Sequence, residues 1–208
     1  MKLRILLVGP IPPPFGGIPK YVKDLYKSRY LKNKYQLNLF NTAIPENIRR
    51  YEKQNERSYF SFLSDGIVPG VKLVIYVLAT IFDFKKYLEK NKPDIIQVFT
   101  SSYWGFWRSC IYIIVAKYFN IKVIFHLLNA IDLFWKESSF FTKKIISTII
   151  NSCDIVLVQS NGIKTFVNDI TTTKVVAIYN GIKLKNDPES FDKKRTLDQF
   201  IKIWFLPR

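Results

Sequence analysis

The chain alternates short, nearly continuous apolar runs with longer amphipathic ones, and few architectures accept that order. The runs Leu3–Val8, Gln36–Phe40, Asp94–Thr100, Lys122–Leu127, Asp154–Gln159 and Val175–Tyr179 have strand length and are rich in β-branched or aromatic residues, so strands are expected there. Between them, Ile18–Leu31, Val68–Asn91, Trp104–Phe119 and Phe140–Asn151 are expected as helices. Strands that are apolar on both faces need cover on both sides, and strand–helix–strand order supplies it around a parallel sheet. The expected class is therefore α/β: a Rossmann-like three-layer sandwich with a mostly parallel sheet. The segment Asn41–Gly66 has mixed charge and little period, and reads as a long surface excursion.

At 208 residues and 48% hydrophobic content, the chain has material for one full core or one core plus a fragment. Its 32 Lys and Arg against 16 Asp and Glu leave a net charge of +16, a field that attracts nucleotide diphosphates, nucleic acid or acidic headgroups but says nothing about fold. Cys110 and Cys153 sit in apolar surroundings, with no second Cys or His at metal-ligand spacing. They read as two buried thiols in a reducing compartment, with neither a disulfide framework nor a metal site. The apolar run behind the basic start is only Ile5–Val8, short of a signal-peptide core. Val71–Phe82 and Ile111–Ala116 fall below the roughly 20 residues of a spanning helix. A cytoplasmic chain is expected, with peripheral contact at the inner face of a membrane left open.

Ligands of such folds collect at the carboxyl ends of the strands, which points to the loops beginning at Gly9, Thr100, Leu127, Gln159 and Asn180. The first of these, GPIPPPFGGIPK, puts Gly16 and Gly17 at the head of a basic helix. Two glycines there either relieve a tight turn after the prolines or hold the backbone open to an anion at the helix N-terminus. The spacing is neither GxGxxG nor a Walker pattern, so an ordinary dinucleotide or P-loop site is disfavoured.

The stretch GPIPPPFGGIPKYVKDL resembles the first loop and helix of the family 4 glycosyltransferases, retaining sugar-transfer enzymes of the GT-B fold. Four further segments follow in family order: KPDIIQVFTSSYWGFWRS, KVIFHLLNAIDLFW, CDIVLVQSNGIKTFV and VVAIYNGI. The resemblance implies that Gly16 and Gly17 lie against the donor diphosphate and that His126 contacts the transferred sugar or the acceptor. Departures are also visible. The H-x-H-G turn appears as His126, Leu127, Leu128 and Asn129, keeping the first histidine only, and Lys183 stands where an acidic residue is usual. The segment IKIWFLPR resembles the first strand of the family's second domain, with Pro207 in the place of a glycine. The family's donor-side glutamate pair, eight positions apart, has no counterpart among Glu46, Glu52, Glu56, Glu89, Glu137 and Glu189. The resemblance thus implies an acceptor-side domain over 1–182, with a hinge and a truncated start of the C-terminal domain over 183–208.

Each candidate also has a plainer reading. His126, at the end of an apolar strand, is either a satisfied structural histidine or a neutral donor to a sugar hydroxyl. Ser101, Ser102, Tyr103, Ser160 and Asn161 either bind sugar or phosphate oxygens or cap the helices that follow. Asn180 and Gly181 fit an interdomain hinge, although Gly181 also suits a simple turn. Lys20, Lys23 and Lys27 open a basic face running to Lys34, either solvated or docked on anionic lipid near a lipid-linked acceptor. Trp104, Trp107 and Trp135 read as interface anchors, core or cleft lining.

Two functions compete. One is a retaining, nucleotide-sugar-dependent glycosyltransferase domain acting on a glycan or lipid-linked acceptor, inactive alone and requiring a partner chain with the donor-binding domain. No cofactor or metal is expected beyond the nucleotide-sugar substrate. The other is a non-catalytic basic membrane- or RNA-binding module on the same scaffold, with nucleic acid disfavoured because no RNA-recognition motif is present.

Overall fold

The structure is a computed structural model that describes residues 2–13, 15–44, 67–101, 103–128 and 131–178, with main chain only for 67–74. Six parallel strands form one sheet among these residues: β1 (Arg4–Gly9), β2 (Gln36–Asn41), β3 (Ile95–Thr100), β4 (Lys122–Leu127), β5 (Ile155–Val158) and β6 (Val175–Ala177). The order is β2-β1-β3-β4-β5-β6. The expected Rossmann-like α/β layering is present. Helices α1 (Gly17–Lys27) and α2 (Arg29–Lys34) join β1 to β2, and α3 (Ile67–Asn91) precedes β3. Then come α4 (Trp104–Tyr118), α5 (Ile131–Glu137), α6 (Phe140–Ser152) and α7 (Asn161–Ile170).

The chain steps one way across the sheet from β1 to β2 and the opposite way afterwards, so right-handed crossovers put the helices of those two parts on opposite faces. Side-chain packing follows that division. Val22 and Leu31 of the first pair cover Ile5, Leu7, Ile95, Phe99 and Ile124. Phe84, Phe106, Phe134, Ile146 and Val167, one from each of α3 to α7, cover Leu6, Val8, Val98, Phe125 and Val156. Alternate residues of a strand point to opposite faces, so strands buried on both sides read as continuous apolar runs.

Two expectations are revised. The single helix over Ile18–Leu31 is two helices, because the Ser28 hydroxyl accepts from the Leu31 N–H and starts a new helix there. The basic face from Lys20 to Lys34 is therefore broken at Ser28. Helices α5 and α7 were not expected; both are short, at 7 and 10 residues, and give the helical period little room. The Asn41–Gly66 excursion lies mostly outside the described residues, as do the hinge and the start of the second domain over 183–208.

Two aspartates close the amino end of the sheet. Asp94, just before β3, donates its N–H to the Arg4 carbonyl at 2.9 Å and accepts the Arg4 N–H at 2.8 Å, with the guanidinium adding a 2.9 Å ion pair. That pairing holds the Asp94 carboxyl below its usual range, the guanidinium hydrogen bond being the largest cause. Asp154, just before β5, repeats the arrangement on β4: its N–H reaches the Val123 carbonyl at 3.0 Å and its carboxylate takes the Val123 N–H at 2.7 Å, with Lys117 as the cation.

Candidate functional site

The carboxyl end of β1 shows why α1 begins where it does. A Cβ on Gly9 would lie 3.1 Å from Phe99 Cβ and 3.2 Å from Val22 Cγ2, so this glycine lets α1 settle directly on β1 and β3. The chain then passes through the proline loop, where the Asn41 carboxamide oxygen accepts from Ile11 N–H at 3.2 Å and from Ala43 N–H at 2.9 Å. That contact ties the loops after β1 and β2 together.

Gly16 and Gly17 differ from Gly9. Gly16 has φ 176, extended backbone open to any residue, and neither glycine is in the left-handed region. A Cβ on Gly17 would meet nothing within 4 Å, and one on Gly16 would meet only Pro19 at 3.5 Å. Among the described residues, backbone strain and crowding therefore both fail to account for the pair. Both residues are exposed. The Gly16 carbonyl already accepts the first helical bond from Lys20 at 3.1 Å, while the N–H groups of Gly17 and Ile18 belong to the first turn, which has no intrahelical acceptors. Lys20 and Lys27 are exposed and Lys23 is half-buried, while Ile18, Tyr21, Val22, Leu25 and Tyr26 face the core.

His126 lies below this helix, fully buried on β4. Tyr21 of α1 stands edge-on above it at 5.5 Å between ring centroids, and Phe99 lies beside it at the same separation. Gln97 Nε2 is 3.2 Å from His126 Nδ1, so with the amide donating, the ring proton is on Nε2. Burial pushes the imidazole down to about 3 and the Tyr21 phenol up to about 12, so both are neutral. His126 Nε2 and Gln97 Oε1 have no hydrogen-bond partner among the described residues. The partners Tyr21 and Gln97 were missed by sequence reasoning, though a lone Gln on the Phe99 side of the otherwise apolar run IIQVF was a signal that something polar lies there.

The remaining candidates separate. Ser101 faces the first turn of α4, where a Cβ on Gly105 would come within 1.9 Å of its Oγ. Tyr103 begins α4 without capping it by its side chain; its hydroxyl donates to Glu137 Oε2 at 2.6 Å and its ring lies 5.1 Å from Phe134. Tyr103 therefore belongs to the five-helix layer, across the sheet from the glycine pair and His126. Ser160 accepts from Ile163 N–H at 3.3 Å and caps α7, leaving Asn161 exposed at its first position. Ser102, Asn129, Asn180 and Gly181 lie outside the described residues. Cys110 and Cys153 are buried, and burial pushes both thiols up to about 12. Among the described residues no three His, Cys, Asp or Glu side chains group as metal ligands, and no helix is long and apolar enough to cross a membrane.

No curated sequence matches the chain. The sequence profile of glycosyltransferase family 4 matches residues 15–186, a span that starts beside the glycine pair and contains His126, Tyr103 and Ser160. With that match over most of its length and the parallel sheet beneath it, the chain belongs to glycosyltransferase family 4.

Proposed function

We propose that residues 1–182 form the acceptor-side domain of a retaining, nucleotide-sugar-dependent glycosyltransferase acting on a glycan or lipid-linked acceptor. The observation that carries this reading is the exposed glycine pair, whose missing side chains answer no strain or crowding among the described residues. They leave room for a ligand to approach the backbone. A donor diphosphate there meets the N–H groups of Gly17 and Ile18 and the positive end of α1. As the sugar departs, negative charge accumulates on the diphosphate, and fixed donors aimed at it favour the transition state.

His126 enters through α1. Tyr21 of that helix covers the imidazole, so a donor that draws in the first turn also moves the cover of the ring, opening it toward a sugar hydroxyl. Donor handling further requires the glutamate pair that these 208 residues lack, supplied from residues continuous with them or from a partner chain. The domain works at the inner face of an anionic membrane, with Lys20, Lys23 and Lys27 toward the lipid. The exposed stripe Ile75, Leu78 and Phe82 of α3 is on the opposite side of the sheet and takes no part in that contact.

The test is equilibrium binding of uridine, guanosine and adenosine diphosphates to the chain and to Gly17→Val. The parent should bind at least one, more weakly as salt rises, and the variant should lose that binding while keeping its fold, because the new side chain projects into open space. Equal affinity in parent and variant refutes the assignment. The 208 residues alone should transfer no sugar from any nucleotide-sugar, and turnover above background refutes that part of the proposal.

A further inference from the structure

We propose that the recess between α4, α5 and the start of α6 binds a neutral pyranose ring, a unit of the acceptor other than the one that reacts. This rests on the glycosyltransferase reading and deepens it. The recess has a volume of about 360 Å³, within the roughly 300–1,000 Å³ of small-molecule sites. Tyr103, Trp104, Trp107 and Phe134 supply aromatic surface, against which the apolar C–H faces of a sugar ring pack. Glu137 supplies a carboxylate, which as an anion only accepts hydrogen bonds and so suits hydroxyl donors. Ser138 and Ser139 already serve the chain, the first donating to the Phe134 carbonyl at 2.7 Å and the second accepting from Thr142 N–H at 3.3 Å.

The charge of the lining narrows the ligand. Among the described residues no Lys or Arg lines this recess, so its described lining does not suit the anions that the rest of the surface attracts. Backbone geometry gives a second, independent indication. Tyr103 has φ 57 and ψ −123, a conformation that costs a bulky residue about 1–3 kcal/mol and persists only where the surroundings hold it. Its hydroxyl on Glu137 and its ring on Phe134 do the holding, and the result presents the phenol to the recess. Trp104 remains 45% exposed at the rim, where a ligand would cover it. The recess is built on α4 to α6 and the glycine pair heads α1, helices that pack on opposite faces of the sheet; a sugar held here is a second unit, and its binding orients a longer acceptor.

Two of the four tryptophans line the recess, which makes intrinsic fluorescence a direct readout. The intact chain is titrated with the methyl glycosides of glucose, galactose, mannose, rhamnose and N-acetylglucosamine, and separately with tetramethylammonium chloride. At least one glycoside should change the emission saturably. Trp104→Ala, at the exposed rim where folding is not at stake, should abolish the response, and Glu137→Gln should weaken binding about tenfold, the loss of one charge-assisted hydrogen bond. Response to none of the glycosides, response to tetramethylammonium alone, or an unaltered response in Trp104→Ala overturns the assignment. Nucleoside diphosphate binding by the unaltered chain, measured beside its glycoside binding, separates the two proposals. Retained nucleotide binding without glycoside binding sinks only the recess, whereas glycoside binding without nucleotide binding sinks only the donor reading.

Discussion

Lowering the pH from 7 to 5 should destabilise the folded chain by about 2 kcal/mol through His126 alone. In the unfolded chain the imidazole protonates near its ordinary pKa of about 6.5, while in the folded chain burial holds it at about 3. Between those values the unfolded state binds the extra proton, so stability is full above about 6.5 and falls as the pH drops toward 3, by up to about 1.4 kcal/mol per pH unit. Allowing for partial protonation near 6.5, the step from pH 7 to pH 5 amounts to about 1.9 kcal/mol. His126 is the chain's single histidine, and ordinary carboxylates titrate near 4, so little else contributes in that window. Urea unfolding followed by circular dichroism at pH 7, 6 and 5 measures it; at an m value of about 2 kcal/mol/M the midpoint should move by about 1 M. His126→Leu leaves the Gln97 amide without its acceptor and should cost about 1–3 kcal/mol at pH 7, and because it should abolish the slope between 7 and 5, that cost relative to the parent should shrink by about 1.9 kcal/mol at pH 5. A parent whose midpoint does not move, or a variant with the parent's slope, refutes the reasoning. Either result means that the folded ring titrates close to its ordinary value and that solvent reaches it.

The glycines should divide by position: Gly9→Ala forces a methyl against Phe99 and Val22 and should lower stability by about 1–3 kcal/mol, whereas Gly17→Ala should leave the urea midpoint unchanged or slightly raised. Cys110 and Cys153 should be inert to a thiol-specific chromogenic disulfide at pH 8 in the native chain and should both react once it is unfolded in urea, because both thiols are held protonated beneath the surface.

The sheet was legible because parallel strands must be covered twice, and runs such as IIQVFT and KVIFHL carry that requirement in their composition. Helix boundaries were less so. Ser28 is one hydroxyl inside an amphipathic run, and whether it caps a new helix or points to solvent depends on the backbone it meets. The glycine pair could be found from its place between strand and helix, yet its two readings differ only in φ and in what surrounds the Cβ, and no sequence states either. The sequence offers Glu137 only as a candidate half of a donor-side pair that it does not complete. Its tie to Tyr103 joins residues 34 positions apart on α5 and at the head of α4, which local patterns do not reach.

The aspartates at the amino end of the sheet bear on how such a domain can be altered. Asp94 and Asp154 fasten β3 to β1 and β5 to β4 by the same two main-chain contacts, each with a cation on the carboxylate, from β1 in the first case and from α4 in the second, all at the end of the sheet away from the glycine pair and the recess. The fastenings share no atoms with the turns that follow β3, β4 and β5, so those turns can be exchanged for longer or differently charged ones without loosening the strands beneath. A laboratory wishing to retarget the acceptor would graft at the open end and leave every residue before the strands as it stands. Natural lineages have the same freedom, and divergence in this domain should gather at that end while the two aspartates stay in place.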